Sequence, residues 1–272
     1  MEYSNLWNEV NYRSPLPYIV NSSIREYDLS KANISSLHHF NVLSDQEYEY
    51  FLNLPKKDRE VKIGLMIRKD NSIYKYIKKG IEYARHCLMK YNEIQTCEIV
   101  SIKNDAVFVY GRDLQHTQFD EFKFAVKNEF KTYMWLGGNI EVYYNDYEEN
   151  GDILSSITVK GISDANIELH NDGILSIINQ VCYMIDRYSI GDILAYVSDM
   201  YNEFKNRNLP VPFYRSFDSG SKYSIRTGYF AYLLDYADDS MRSVIDLSVN
   251  DSIFRNLLRI VYDIYNSRYG KF

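Results

Sequence analysis

Two aspartates, Asp28 and Asp105, are the residues whose type and setting could do chemistry. Ile24 to Leu29 reads as a strand, and strand side chains repeat every two residues, so Glu26 and Asp28 are expected on one face. Glu98 to Ile102 and Ala106 to Tyr110 are β-rich runs flanking Lys103-Asn104-Asp105, which predicts a hairpin with Asp105 at or beside its tip. Carboxylates from two separate strands are enough to hold two divalent cations about 3.5–4 Å apart, which clamp the attacking and leaving oxygens of a phosphoryl transfer. Each residue also has an ordinary reading. Aspartate after a strand commonly caps a helix or makes a turn, and Asp beside Asn is usual hairpin chemistry. The pair acquires chemical meaning where the two strands lie side by side.

Charge is segregated around these acids. The chain of 272 residues carries a net −6, which as an average opposes phosphate binding. From Pro55 to Lys90, however, eleven Lys/Arg stand against four acids, a local +7 that leaves −13 elsewhere. A basic element on an acidic body results, with the bland alternative that it is the solvated face of an amphipathic helix.

Three segments carry a family resemblance. Tyr27-Asp28-Leu29-Ser30-Lys31-Ala32-Asn33-Ile34-Ser35 resembles motif A of DNA polymerase families A and B, an Asp that closes a strand and opens a helix. Ile99 to Val109 is similar to motif C of family B, the metal-binding hairpin, and Arg68-Lys69-Asp70-Asn71-Ser72-Ile73-Tyr74 between them resembles the family B fingers motif with its Asn-Ser-x-Tyr core. The resemblance spans roughly Ile24 to Tyr110 in the family's order. It implies Asp28 and Asp105 as catalytic ligands of Mg²⁺ or Mn²⁺, with the Leu29 carbonyl as a further oxygen. Arg68 or Lys69 would face a nucleoside triphosphate, Asn71 and Lys78 would belong to the same nucleotide site, and Tyr74 would lie near base or sugar. Asn33 occupies the place where DNA polymerases keep a bulky residue against the ribose 2′-hydroxyl, so ribonucleotide use is compatible. Lys103 stands where the family has the first Asp of its hairpin pair, Lys75 where it has Gly, and the 77-residue spacing from Asp28 to Asp105 is short for family B.

The elements that must position these residues follow from pattern. The first twenty residues read as an irregular strap, since Pro15 and Pro17 forbid helix, with Asn21-Ser22-Ser23 as a turn. Ser30 to Phe40 and Ser44 to Leu54 are expected as short helices, the second opened by a capping box at Ser44 and Glu47 and stopped by Pro55. The spacing of Ile73, Ile77, Ile81, Ala84 and Leu88 predicts a helix over about 72–91 with Lys75, Lys78, Lys79 and Arg85 largely off that stripe, its bases shown to one side. Gln118 to Lys131 reads as helix, and Asn139 to Val159 as two strands across Glu149-Asn150-Gly151-Asp152. From Ile174 the chain reads as mainly helical, broken near Pro210-Val211-Pro212 and at Ser216 to Lys222. The expected fold is α+β: an antiparallel palm-like sheet with packed helices (1–165), a short basic fingers-like helical insertion (about 40–92) and a mainly helical, thumb-like C-terminal part (166–272).

Other chemistries find no support in the sequence. Cys87, Cys97 and Cys182 are odd in number and lack ligand spacing, which argues against a disulfide framework or zinc and suits a reducing cytoplasm. No apolar leader or bilayer-length run is seen, so no membrane is expected as a partner. His38 and His39 are adjacent, diverge by about 100° on a helix and are not expected to share a metal. His86, His116 and His170 sit in no triad pattern, and Gly137-Gly138 has neither phosphate-loop spacing. Tyr236-Ala237-Asp238-Asp239 spells a reverse-transcriptase metal motif, but within a run that reads as helix rather than hairpin. Two functions are expected from these features. The first is a phage-type, palm-based nucleotidyltransferase extending a 3′-hydroxyl on a primer-template, DNA-binding and nucleotide-binding. The rival is a non-enzymatic binding protein that engages a host protein or nucleic acid.

Overall fold

The computed structural model describes residues 3–162, 167–214, 217 and 248–269. Among these the fold is α+β, with two antiparallel sheets and helices packed on them, and it divides into two compact units. The first comprises residues 1–15 and 23–129, the second 16–22 and 130–272.

The first unit is built on a six-stranded sheet. In chain order its strands are β1 (Asn11–Arg13), β3 (Ile24–Ser30), β4 (Ile99–Lys103), β5 (Ala106–Tyr110), β6 (Gln118–Phe119) and β7 (Phe122–Phe130), with β2 (Tyr18–Ile19) belonging to the second unit. Their spatial order is β1-β4-β5-β3-β7-β6, so the expected hairpin strand β5 lies directly beside β3. The β3–β5 register runs antiparallel from Ile24 opposite Tyr110 to Asp28 opposite Ala106. The β4–β5 turn is Asn104-Asp105, and Asn104 takes the left-handed conformation (φ 53°) that Asn tolerates better than most residues.

Four helices connect β3 to β4: α1 (Ala32–His39), α2 (Asp45–Leu52), α3 (Lys56–Lys69) and α4 (Ser72–Tyr91). Helix α2 starts with the expected capping box, the Ser44 hydroxyl accepting from the Glu47 amide while the Glu47 carboxylate accepts from Ser44. Pro55 then caps α3, as its missing N–H costs nothing at a helix start. Helix α4 buries the predicted stripe Ile73, Ile77, Ile81, Ala84 and Leu88. Each such large aliphatic side chain contributes about 1.5–3 kcal/mol on leaving water. Its Gly80 faces Ser36 of α1 so closely that a Cβ there would come within 2.8 Å of the Ser36 Cα.

One expectation fails here. Gln118 to Lys131 is not helical but forms β6 and β7, joined at Asp120-Glu121, with Phe119 opposite Phe122. Phe122 and Phe124 are buried while Lys123 between them and Ala125 after them are exposed. That period-two burial at the start of the segment outweighed the helix-compatible Lys127-Asn128-Glu129 run. The N-terminal strap likewise contains two short strands, β1 and β2, on either side of Pro15 and Pro17.

The second unit has a four-stranded sheet of order β10-β9-β8-β2, from β8 (Thr132–Gly137), β9 (Ile140–Glu149), β10 (Asp152–Lys160) and β2. Helices α5 (Ile174–Ile185), α6 (Ile190–Asn206) and α7 (Ser248–Tyr269) give the mainly helical C-terminal part, and Val211–Tyr214 is a 3₁₀ turn at the proline break. Its core joins Met134, Val142 and Val159 of the strands to Ile178, Ile193 and Leu257 of the helices. This shared core is why the strands from residue 130 onward group with the helices, placing the boundary at Glu129/Phe130 and not at 165. Asp146 is enclosed by Lys131 and by Arg187, whose Nη1 lies 2.7 Å away; burial opposes its ionisation, but these bonds outweigh it and hold its pKa below the ordinary carboxylate range. The Tyr236 to Asp239 motif lies outside the described residues. No helix among the described residues is long and apolar enough to cross a membrane.

Candidate active site

Asp28 and Asp105 are brought together. Asp105 follows the β5 register by one step, and its carbonyl accepts a hydrogen bond from the Leu29 amide at 3.2 Å. Both side chains line one cavity of about 380 Å³. The Asp28 carboxylate is 34 % exposed with the Lys127 ammonium 3.8 Å away. Burial pushes the Asp105 carboxyl pKa up and the Asp28 charge adds to this, while Lys127 and Arg85 pull it down. A buried carboxyl with a second carboxylate's charge beside it is a setting in which a cation is favoured.

The basic residues that line the cavity differ from those the family resemblance indicates. Lys56 and Arg59, from the first turn of α3, line it with the two acids. Arg68 and Lys69 are exposed in the last turn of α3, Asn71 is the exposed N-cap of α4, and none of the three lines this cavity or the next. A rise of 1.5 Å per residue puts Lys69 roughly 20 Å along the axis from Lys56. The signal for these cavity-lining bases was present in Pro55-Lys56-Lys57-Asp58-Arg59, a basic run at a helix start.

Asn33, in the first turn of α1, lines both this cavity and a second of about 300 Å³. Tyr74 and Lys78 of α4 line the second, together with Asn104 and Arg85. The sequence-derived nucleotide residues therefore separate into Asn33, Tyr74 and Lys78, which converge, and Arg68, Lys69 and Asn71, which do not. Glu26, on the Asp28 face, is buried and accepts from the Asn128 side-chain amide at 2.6 Å, a structural rather than an open carboxylate.

Arg85, expected off the apolar stripe of α4 with the lysines, is instead buried in the helix's inner face. It is 1 % exposed, and its Nη1 donates to the Glu9 carbonyl at 2.5 Å and to the Asn104 carbonyl at 2.7 Å. Burial pulls its pKa down to about 10, resisted by Glu82, Asp105 and Glu9.

A second cluster joins α1 to the β6–β7 turn. His39 Nδ1 lies 3.1 Å from Glu121 Oε2, and His38 Nδ1 lies 3.4 Å from Glu121 Oε1. The two oxygens of one carboxylate thus meet both adjacent histidines. Ligand atoms of His39, Asp120 and Glu121 all lie within 4.8 Å of one another. Tyr83 donates to Asp120 at 2.8 Å, which drives the phenol pKa up, and stacks on His39. The cluster is closed by its own hydrogen bonds and is read as a clasp. Cys87 and Cys182 are buried and Cys97 is exposed, all three as free thiols. A cavity of about 450 Å³ in the second unit is lined by Gly137, Gly138, Gly161 and aliphatic or hydroxyl neighbours, without an ionisable side chain.

Fold and site together define an α+β protein with paired carboxylates at a strand end and a hairpin turn, set against the basic start of a helix. The chain belongs to the family described as the bacteriophage PBS1 gene 130 protein, whose model matches residues 1–263. No curated protein matches it.

Proposed function

We propose that the first unit is a compact palm-type nucleotidyltransferase that extends a 3′-hydroxyl with (d)NTPs by metal-dependent phosphoryl transfer. The observation that carries this reading is the meeting of Asp28 and Asp105, 77 residues apart in sequence, in one cavity with Lys56 and Arg59. The donor set fits Mg²⁺ or Mn²⁺: hard carboxylate oxygens from two strands, with the Leu29 carbonyl beside them. The cations, when bound, supply charge neutralisation and activation of the attacking hydroxyl. The chain's own groups bind and orient. Lys56 and Arg59 receive the triphosphate oxygens, Tyr74 and Lys78 hold base or sugar, and Asn33, at the junction of the two cavities, sets the sugar preference. Primer-template nucleic acid is the second substrate, and no covalent intermediate with the protein is required.

A second reading, that the chain is a non-enzymatic factor engaging a basic host protein, is favoured by the β9–β10 hairpin. There Tyr147 and Leu154 are cross-strand partners on one face, both exposed, and the next pair on that face is acidic, Glu149 opposite Asp152.

The deciding experiment is extension of a labelled primer on DNA and RNA templates with dNTPs or NTPs and Mg²⁺ or Mn²⁺. The wild type is expected to extend, and Asp105→Asn to lose at least about 100-fold, as for removal of a group acting in the transition state. No extension by folded wild-type protein under any of these conditions overturns the enzyme reading and leaves the host-protein reading standing.

A further inference from the structure

Arg85 is a charge in a place where charge is costly. A buried guanidinium forfeits several kcal/mol of hydration, and an apolar side chain of similar volume would pack α4 at least as well. Among the described residues no carboxylate lies within ion-pair distance of it, and its Nε has no hydrogen-bond partner. Its two bonds go to main-chain carbonyls, Glu9 and Asn104, so it ties three segments distant in sequence: the strap before β1, helix α4 and the β4–β5 turn.

The turn it grips is the one that presents Asp105. The Asn104 amide donates to the Val10 carbonyl at 2.8 Å, and the Asn104 carbonyl accepts from Arg85, so both polar groups of this left-handed residue are fixed. The next carbonyl, that of Asp105, is fixed by the Leu29 amide. The peptide units on either side of the Asp105 Cα are thereby anchored from two directions, α4 on one side and β3 on the other. We propose that Arg85 is a positioning residue, which clamps the hairpin turn to α4 and to the Glu9–Val10 strap and so sets the Asp105 carboxylate against Asp28. This rests on the reading of the acid pair as a cation site.

The test compares wild type, Arg85→Met and Arg85→Lys in the full chain, with two readouts: Mn²⁺ affinity from the electron paramagnetic resonance signal of free Mn²⁺, and amide hydrogen exchange. Arg85→Met is expected to weaken Mn²⁺ binding about 10-fold, the lower end for loss of a residue that orients a metal ligand. Exchange at Leu29 and Asn104 is expected to speed up by about 10-fold while amides of β8 and β9 keep their rates. Arg85→Lys, which keeps a donor and the charge but not the guanidinium's fork, is expected to fall between the two, with an about 3-fold loss of Mn²⁺ affinity and faster exchange confined to the turn. Wild-type affinity and wild-type exchange in folded Arg85→Met overturn the proposal. So does equal loss in both variants with exchange accelerated throughout the first unit, which marks a packing role. Should Arg85→Met not fold, Arg85→Lys decides alone: a loss of Mn²⁺ affinity of about 3-fold with faster exchange confined to the turn supports the clamp, and no change in either opposes it. Wild type that binds no Mn²⁺ removes the cation reading, and exchange at Leu29 and Asn104 then decides the clamp by itself.

Discussion

At the scale of single residues, position along a helix decides which bases can act. Lys56 and Arg59 share a cavity with Asp28 and Asp105, whereas Arg68 and Lys69 of the same helix do not. The two sets carry the same charge, so substitution separates them by place. The double variant Lys56→Ala/Arg59→Ala is expected to weaken binding of a fluorescent nucleoside triphosphate by about 100-fold, at about 1.5 kcal/mol for each charged hydrogen bond lost, measured by fluorescence anisotropy, and Arg68→Ala/Lys69→Ala to leave it near the wild-type value. A reversed pattern would return the phosphate site to the segment that the family resemblance indicates. The acids themselves were legible because strand ends and hairpin turns have local signatures. The bases were not, because composition reports that a segment is basic without reporting which of its turns faces the cavity. Arg85 was misread for the opposite reason: four residues after Ile81 and three before Leu88, it falls on the buried stripe by periodicity, but its charge suggested the solvated side.

At the scale of elements, α1 is the part that must not move, since Asn33 on it lines both cavities. It is held against α4 by close approach, with Gly80 leaving room for Ser36, whose hydroxyl donates to the Ala32 carbonyl at 2.7 Å. A methyl at position 80 has no space without displacing backbone. Gly80→Ala would gain helix propensity in an unconstrained helix, so its sign here tests the packing. We expect a net destabilisation of about 1–3 kcal/mol by urea denaturation, with the urea dependence of the unfolding free energy unchanged; a stabilised variant would show that α1 is free to shift away. Helix α4 was readable to its ends because twenty residues of one amphipathic stripe leave little ambiguity. The Ser44 capping box was readable because it is a contact within four residues. The β6–β7 pair was not, as Phe119 and Phe122 are paired across a tight turn within a segment whose later half has no clear strand alternation. There the sheet supplies the order that local preference does not.

At the scale of the whole molecule, the division into two units cuts the chain twice at its N-terminal side. Residues 16–22 leave the first unit, add strand β2 to the edge of β8, and return to β3. Tyr18 pairs with Met134 and Ile19 with Tyr133, the Trp135 amide donates to the Pro17 carbonyl at 2.8 Å, and Ile19 is buried. A boundary drawn from sequence could not place this segment, because two residues of strand just after Pro17 carry no signal of which sheet they join. The arrangement makes a specific prediction about dissection. A chain of residues 130–272 lacks β2, exposes the edge of β8 and loses the burial of Ile19, about 1.5–3 kcal/mol. The Ser22 amide donates to the Lys131 carbonyl at 3.1 Å, so residues 16–22 can be joined to Phe130 through a short turn that restores β2 and β8 as a hairpin. The rejoined chain is expected to melt about 5–10 °C above the 130–272 chain by circular dichroism, and the Trp135 amide to be protected from exchange in the rejoined chain alone. Equal melting temperatures would mean that β2 is carried passively by the second unit, and that its real anchor lies in the first.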